Sequence, residues 1–494
     1  MSLIDIGVIV LYIAACILLG YRLGSNSEGL KGYLLGERNI PAWAVMISIV
    51  ATETSAVTFL SVPSVAYRGD FTFLQLAMGY ILARVVVSVL LMPAYFQGEI
   101  FTAYQVLAVR FGGRVQKVSS VVFLISRTLA SGLRLFLAAK VLEVMTGWPL
   151  PTSIVVIGIS TVVYTYLGGL KAVVWADVIQ FAVYIVGALI ALAILTREFP
   201  GGWSEITTRA GEAGKFRVFN WQFDLTQTYT FWAGVIGGLF VDTATHGADQ
   251  MMVQRYLSAR SRQQASAALI VSGFVILAQF ALFLLIGACL FLLYQDKPPA
   301  RPLTQDGEFA YFIVTYLPVG IKGVVIAAVF SVTMSTVSGA LSASVSSTMT
   351  DLYRPLFPQT SDARCLVLSR LLTGVWGVIQ MGVALLAMGL QDTVVNNALA
   401  VASFVTGILL GVFLLGVLTK RVAEPAALAG MLAGVAAVSA VKFGTAVAWP
   451  WYAVVGSLTV LSVGCLAQLV LGPPPNSLAP TAPGRPSSEV HPDS

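Results

Sequence analysis

The sequence predicts an all-α integral membrane protein of about thirteen transmembrane helices, and three observations lead there. Of its 494 residues, 57% are hydrophobic and 11% charged, where soluble domains run to roughly 45–50% and 25%. The mean hydropathy of +0.84 suits a chain whose solvent is mostly lipid. The apolar residues come in long blocks of about 20, not in the alternating segments of about ten that build a β-barrel. A soluble globule is excluded.

Taken in order, the blocks fall at 4–21, 42–67, 71–96, 118–145, 152–167, 173–195, 230–250, 265–294, 320–350, 365–388, 394–418, 425–443 and 451–471. If the even-numbered spans start in the cytoplasm, loops on that side and the tail hold fifteen Lys and Arg residues and the opposite loops seven. That imbalance puts the N-terminus outside and the C-terminus inside the cell membrane. The first block has Asp5 in place of a positive n-region and no small-residue cleavage pattern, so it reads as a retained helix. Residues 472–494 are rich in proline and serine and read as a disordered cytoplasmic tail. The outer segment 196–229 has room for a short interfacial helix. Cys16, Cys289, Cys365 and Cys465 lie far apart in apolar runs and read as packing residues. The net charge of +6 comes without a basic block, so nucleic acid is not an expected partner, and the lipid bilayer is.

A polar group at membrane depth is costly unless paired or wetted, so breaks in the apolar pattern locate function. In the second span Glu53 sits among Thr52, Thr54, Ser55 and Thr58, with Pro63 further along, and an unwound helix is expected. The seventh span combines Gly234, Gly237, Gly238 and Gly247 with Asp242, His246 and Asp249, and is expected to be discontinuous too. Its acids either cap half-helices or face a binding cavity. With no second membrane histidine, His246 does not suggest a transition-metal cluster. In the ninth span Ser331, Ser335, Ser338, Ser342 and Ser346 share one helix face, as a packing seam or a hydroxyl stripe. Asp177 lies about one turn inside the sixth span, and Arg134 lies deep in the fourth, where Glu143 or Glu53 is its expected salt-bridge partner if it does not contact a solute.

Two interrupted spans, each opening a block of five, form the pattern of an inverted repeat with a midplane site. The repeats are 42–195 and 230–418, flanked by accessory segments 1–41 and 419–471, all within one transmembrane domain of residues 1–471. Alternating access is the expected mechanism. A channel lacks a charged ring or filter sequence. An intramembrane hydrolase lacks a metal motif or a nucleophile–base pair, so no enzyme is expected. A non-transporting solute sensor lacks an output domain in the tail. Proton coupling through Glu53, Asp177 or Asp242 stands as the alternative within transport.

Three stretches carry a resemblance: GGLKAVVWADVIQ at 168–180, GADQMMVQRYLSARS at 247–261, and MSTVSG followed by TDLYR between 334 and 354. They resemble the sodium/solute symporter family over about residues 1–470, nearest in style to its iodide, vitamin and monocarboxylate branch, with Glu53 as in proline carriers. The resemblance implies a LeuT-type fold, sodium as the coupling ion and no other cofactor. It implies a main sodium site of Ser335 and Thr336 hydroxyls with carbonyls of Ala51, Thr54 and Val332. It also carries over a second inner sodium position at Asp177 with Ser335 and Ser338. Two departures weigh against that second ion: Ala176 replaces a threonine, and Gly339 stands where two-sodium members carry a hydroxyl. Glu53, Thr58, Asp242 and His246 match pocket-lining positions. The acids disfavour a plain hexose and suggest a zwitterion, a cation, or acids neutralised by Arg134. The expected solute is small, organic and carboxylate-bearing.

Overall fold

The computed structural model describes residues 1–24, 29–300, 302–303 and 306–472, with 392–403 described by their backbone alone. Helices run in the order α1 (Leu3–Gly24), α2 (Gly29–Leu35), α3 (Ala42–Glu53), α4 (Ala56–Arg68), α5 (Phe71–Tyr95), α6 (Ala103–Phe111), α7 (Gly113–Thr146), α8 (Leu150–Arg197) and α9 (Gly202–Glu212). They continue as α10 (Gly238–Ala248), α11 (Gln250–Leu257), α12 (Arg262–Asp296), α13 (Glu308–Tyr316), α14 (Ile321–Leu356), α15 (Asp362–Ala387), α16 (Asp392–Leu418), α17 (Glu424–Gly444) and α18 (Pro450–Leu471). Among the described residues nine helices are long and apolar enough to cross a membrane, or ten with α3 and α4 taken as one bent span. The chain is a multi-pass membrane protein. The expected helix in 196–229 is α9, while the expected tail, Gly472 apart, lies outside the described residues.

Every predicted block lies on helix, and three blocks show why a simple count differs. At 1.5 Å per residue the 48 residues of α8 would reach about 72 Å, more than twice the ~30 Å of hydrocarbon. Gly169, with φ 56° and ψ −152°, breaks α8 between the fifth and sixth predicted spans. The second span bends by 68° between α3 and α4. There Thr54 turns its N–H and its hydroxyl back to the Val50 carbonyl, at 3.1 and 2.8 Å, and Ser55 caps α4 by accepting the Thr58 N–H. The seventh span breaks at Asp249, whose carboxylate accepts the Met251 N–H at 2.9 Å and starts α11.

The packing is reciprocal. The second span lies along α12, the eighth, while the seventh span lies along α5, the third. The most extensive interface joins α8 to α14, and α7 packs on α16 in the matching position. A pseudo-two-fold relation between two five-helix units produces such pairs. The connections sort to two ends. At one end the Ile40 N–H reaches the Ser258 carbonyl at 3.1 Å, and Arg110 reaches the carbonyls of Thr419 and Val422. At the other, Lys215 donates to the carbonyls of Ala66, Tyr67 and Gly69 at 3.1, 2.8 and 2.9 Å, and the Ala448 N–H reaches the Leu225 carbonyl at 2.8 Å. Burial pulls the Lys215 ammonium below its usual pKa.

Gly169→Ala tests the break in α8. A Cβ there would lie 2.5 Å from the Tyr33 carbonyl oxygen, on a backbone that costs a non-glycine residue about 1–3 kcal/mol before any clash. Thermal melting of the detergent-purified protein should fall clearly for Gly169→Ala and little for Gly382→Ala, where a Cβ meets open space.

Candidate functional site

Glu53, at the end of α3, and Asp242, on α10, share one cation, Arg84 of α5. Arg84 Nη2 is 2.5 Å from Glu53 Oε2, its Nε is 3.3 Å from Asp242 Oδ2, and its Nη1 donates to Ser272 Oγ at 2.5 Å. Arg84 is fully buried. This corrects the expectation that Arg134 neutralises Glu53: Arg84 reaches both acids from the facing helix and takes the place. His246 lies behind the acids, its Nε2 3.3 Å from Asp242 Oδ1 and 3.5 Å from Glu53 Oε2, with Nδ1 2.5 Å from the Tyr256 hydroxyl. Glu53, Asp242 and His246 bring ligand atoms within 4.8 Å of one another, but the positive charge among them is already the Arg84 guanidinium.

Arg255 of α11 forms the second ion pair, its Nη2 3.1 Å from Asp177 Oδ2, both side chains fully buried. Ser48 and Ser335 donate to the same carboxylate at 2.5 and 2.6 Å, and Thr52 at 3.3 Å. Ser338, expected beside a second ion, instead donates to the Ser335 carbonyl of its own helix at 3.1 Å. A third pair joins the partly exposed Arg127 of α7 to the buried Asp249 at the α10–α11 break.

The bend of the second span meets α14 directly. Thr336 Oγ1 lies 3.4 Å from the Thr54 carbonyl oxygen and 3.1 Å from the Val332 carbonyl oxygen. Ala51 sits in the last turn of α3, where carbonyls run out of intrahelical donors. Thr54, Val332 and Thr336 thus gather neutral oxygens at one buried point, with Ala51 one turn back along α3. Ser335, whose hydroxyl is turned to Asp177, stands next to them.

A cavity of about 510 Å³ lies against this bend. Its wall includes Thr52, Glu53, Tyr80, Arg127, Arg134, Asp242 and Asp249, and at its far side Lys442, Trp449 and Tyr452 of the last two helices and their connection. It runs toward the end that carries the 445–449 connection. Thr58 and His246, expected in the pocket wall, are outside it. Thr58 belongs to the cap of α4, its Oγ1 3.1 Å from Ser55 Oγ, and His246 is screened by the acids it contacts. Of the lining cations, Arg127 is paired with Asp249, while Arg134 and Lys442 have no acid partner among the described residues.

The sequence reading passed over Arg84, Arg127 and Arg255. Arg84 had a visible signal, a lone charge inside the third apolar block. Arg255 lies beyond the seventh apolar block, 230–250, where the sequence places a loop cation, and only the fold turns it inward.

Two broken helices meeting at a cavity half-way through a reciprocal bundle define a secondary carrier of the LeuT-like class. The model of the sodium:solute symporter family matches residues 33–434, and the chain belongs to that family. It is 32% identical over 434 residues to the human sodium-coupled monocarboxylate transporter 1, covering 86% of this chain and 70% of that one. To the sodium/sialic acid symporter SiaT of Proteus mirabilis (strain HI4320) it is 28% identical over 470 residues, covering 94% of each. The solved substrate-bound, outward-open state of a Na+-coupled sialic acid symporter superimposes with a TM-score of 0.88 at 29% identity, covering 96% of this chain and 99% of that one. The closed conformation of Mhp1, at 15% identity and a TM-score of 0.58, shares the fold. The family and these relatives are transporters, not enzymes.

Arg84→Gln should destabilise the protein by about 3–5 kcal/mol, because it strands two buried carboxylates. The triple variant Glu53→Gln, Arg84→Gln, Asp242→Asn should melt closer to the parent than Arg84→Gln does. Thermal melts with and without the two acid substitutions check this.

Proposed function

We propose that the chain imports a small organic anion, bearing a carboxylate, together with sodium. The observation that carries this reading is the state of the cavity charges. Arg84 cancels one of the two charges on Glu53 and Asp242 and ties up both carboxylates, Arg127 cancels Asp249, and Arg134 and Lys442 outweigh the one negative charge that is left. Counting His246 as neutral, the cluster carries one net positive charge, which a monoanion cancels. A cation would add to that positive charge, and a zwitterion would leave it uncancelled. The sodium-coupled monocarboxylate and sialic acid relatives support the same chemistry.

Sodium binds in this reading between the bend and α14, on the carbonyls of Ala51, Thr54 and Val332 and the hydroxyls of Thr336 and Ser335. A hard monovalent cation wants several oxygens in a dry place, and bent-helix carbonyls with helical hydroxyls provide them. Ser335 serves only by sharing its hydroxyl with Asp177. The protein crosses the cell membrane thirteen times, with repeats 42–195 and 230–418, the N-terminus outside and the C-terminus cytoplasmic. The cavity then leads to the outer face.

Arg134→Gln should raise the concentration of an organic anion needed for half-maximal uptake by about tenfold or more, the loss of one charge-assisted bond, while leaving sodium dependence in place. Unchanged affinity in proteoliposomes would remove the carboxylate reading. Thr336→Ala should raise the sodium concentration for half-maximal uptake severalfold, and Ser335→Ala less. Uptake that follows pH and ignores the replacement of sodium by potassium would select proton coupling instead.

A further inference from the structure

After α9 the chain returns to the seventh span through residues 218–232, and this stretch leaves its aromatic rings outside the bundle. Phe219, Trp221, Phe223 and Trp232 are 43, 63, 69 and 38% exposed. At about 200 Å² per aromatic side chain these fractions leave roughly 400 Å² of apolar surface in one patch, the size at which such a patch is commonly a binding surface. The rings hold one another in place. Phe219 stacks on Trp221 with ring centres 5.3 Å apart, Trp221 meets Phe231 at 4.5 Å, and Phe223 lies edge-on to Trp232 at 6.2 Å. The backbone beneath them is fixed too: the Phe231 N–H donates to the Asn220 carbonyl at 2.7 Å, and the Asn220 N–H donates to Gln75 Oε1 of α5 at 3.2 Å.

Position selects the lipid surface as the occupant of this patch. Trp232 opens the helix of the seventh span, and the half-exposed Trp449 stands immediately before α18. Both mark the level at which a span leaves the hydrocarbon, the level that tryptophan favours. The patch is continuous with Trp232, and the bond from Ala448 to the Leu225 carbonyl joins it to the connection that carries Trp449. Composition agrees with position. From 218 to 232 the one charged residue is Asp224, and its carboxylate is turned to Thr226 and Gln227 of the same segment. The preceding helix α9 presents its apolar face to the protein instead, with Ile206 and Ala210 buried and Arg209 paired to Asp296 of α12. We propose that residues 219–232 seat in the headgroup region of the leaflet at this end, with Trp221 and Phe223 among the headgroups. The seat anchors the rim of the cavity, where Trp449 is part of the wall, to the bilayer.

Nitroxide labels measure the depth. In a Cys465→Ala background, where the remaining cysteines are buried, a label is placed at Phe223→Cys. Two references are labelled in the same way: Leu11→Cys, at an exposed mid-span position of α1, and Glu212→Cys, at the exposed end of α9. The full chain is reconstituted in vesicles of phosphatidylethanolamine and phosphatidylglycerol. Collisions of each label with oxygen, which concentrates in lipid, are compared with collisions with a water-soluble nickel chelate. The oxygen-to-nickel ratio at 223 should stand severalfold above that at 212 and below that at 11. A ratio at 223 equal to that at 212 puts the rings in water and overturns the proposal. Shielding from both reagents, with dipolar broadening between labels, shows a second copy of the chain on the patch and overturns it as well. Should Phe223→Cys not fold, Leu225→Cys carries the label at a neighbouring exposed position and is read against the same references.

Discussion

A carboxylate inside a membrane has to be paired where it stands, and here three arginines hold four acids around the broken helices. Arg84 serves Glu53 at the end of α3 and Asp242 on α10; Arg127 serves Asp249 between α10 and α11; Arg255 serves Asp177 on α8. In each case the cation comes from a different helix than the acid, so each pair is also a tie between elements. A buried pair adds little net stability over apolar packing, but removing one partner is expensive. The ties therefore hold geometry in place more than they hold the fold together. They also decide what the cavity offers a ligand, because with the acids tied up the net charge left in its wall is positive.

The three ties differ in what they connect. Arg84 joins α3, α5, α10 and α12, which are the helices of the reciprocal pairs made by the second, third, seventh and eighth spans. A group that moves as one body keeps that tie intact in every state. Arg255 instead joins α11 and α3 of that group to Asp177 on α8, whose neighbour Ser335 is on α14. Any rocking of the group against α8 and α14 that opens the end bearing the Ile40–Ser258 contact has to part this second network. Opening also brings water to the separated charges, which lowers the cost of parting them. The network thus closes one end without making its opening prohibitive.

Much of this was legible in the sequence, for a physical reason. Glycine pairs, mid-span acids and runs of Ser and Thr are tolerated in a membrane only where the backbone departs from helix, so the breaks at Thr54–Ser55 and Asp249 could be read from residue types alone. The closeness of Thr54 and Thr336 came with the resemblance. Ion-pair partners could not be read, because partner choice is set by which helix faces which. Arg84 is 31 residues from Glu53 and Arg134 is 81, separations that do not choose a partner, and only the α5–α10 packing gives Arg84 the acids. Arg255 shows the limit most plainly: eight residues of helix after a break carry it from an apparent loop to full burial.

The charge left over in the cavity also bears on how ion and solute are made to travel together. The empty cluster carries one net positive charge, and sodium bound on neutral oxygens raises it to two. Two like unit charges about 10 Å apart repel by about 1.7 kcal/mol at an effective dielectric constant near 20. Closing the cavity on sodium alone excludes water and makes that repulsion worse. An anion on Arg134 removes it, so each ligand favours the other by an amount within the usual 1–3 kcal/mol range of coupling energies. With one sodium and one monoanion the loaded and empty clusters carry the same net charge. The membrane potential then does no net work over the cycle, and the sodium gradient alone, about 1.4 kcal/mol for a tenfold difference, drives accumulation.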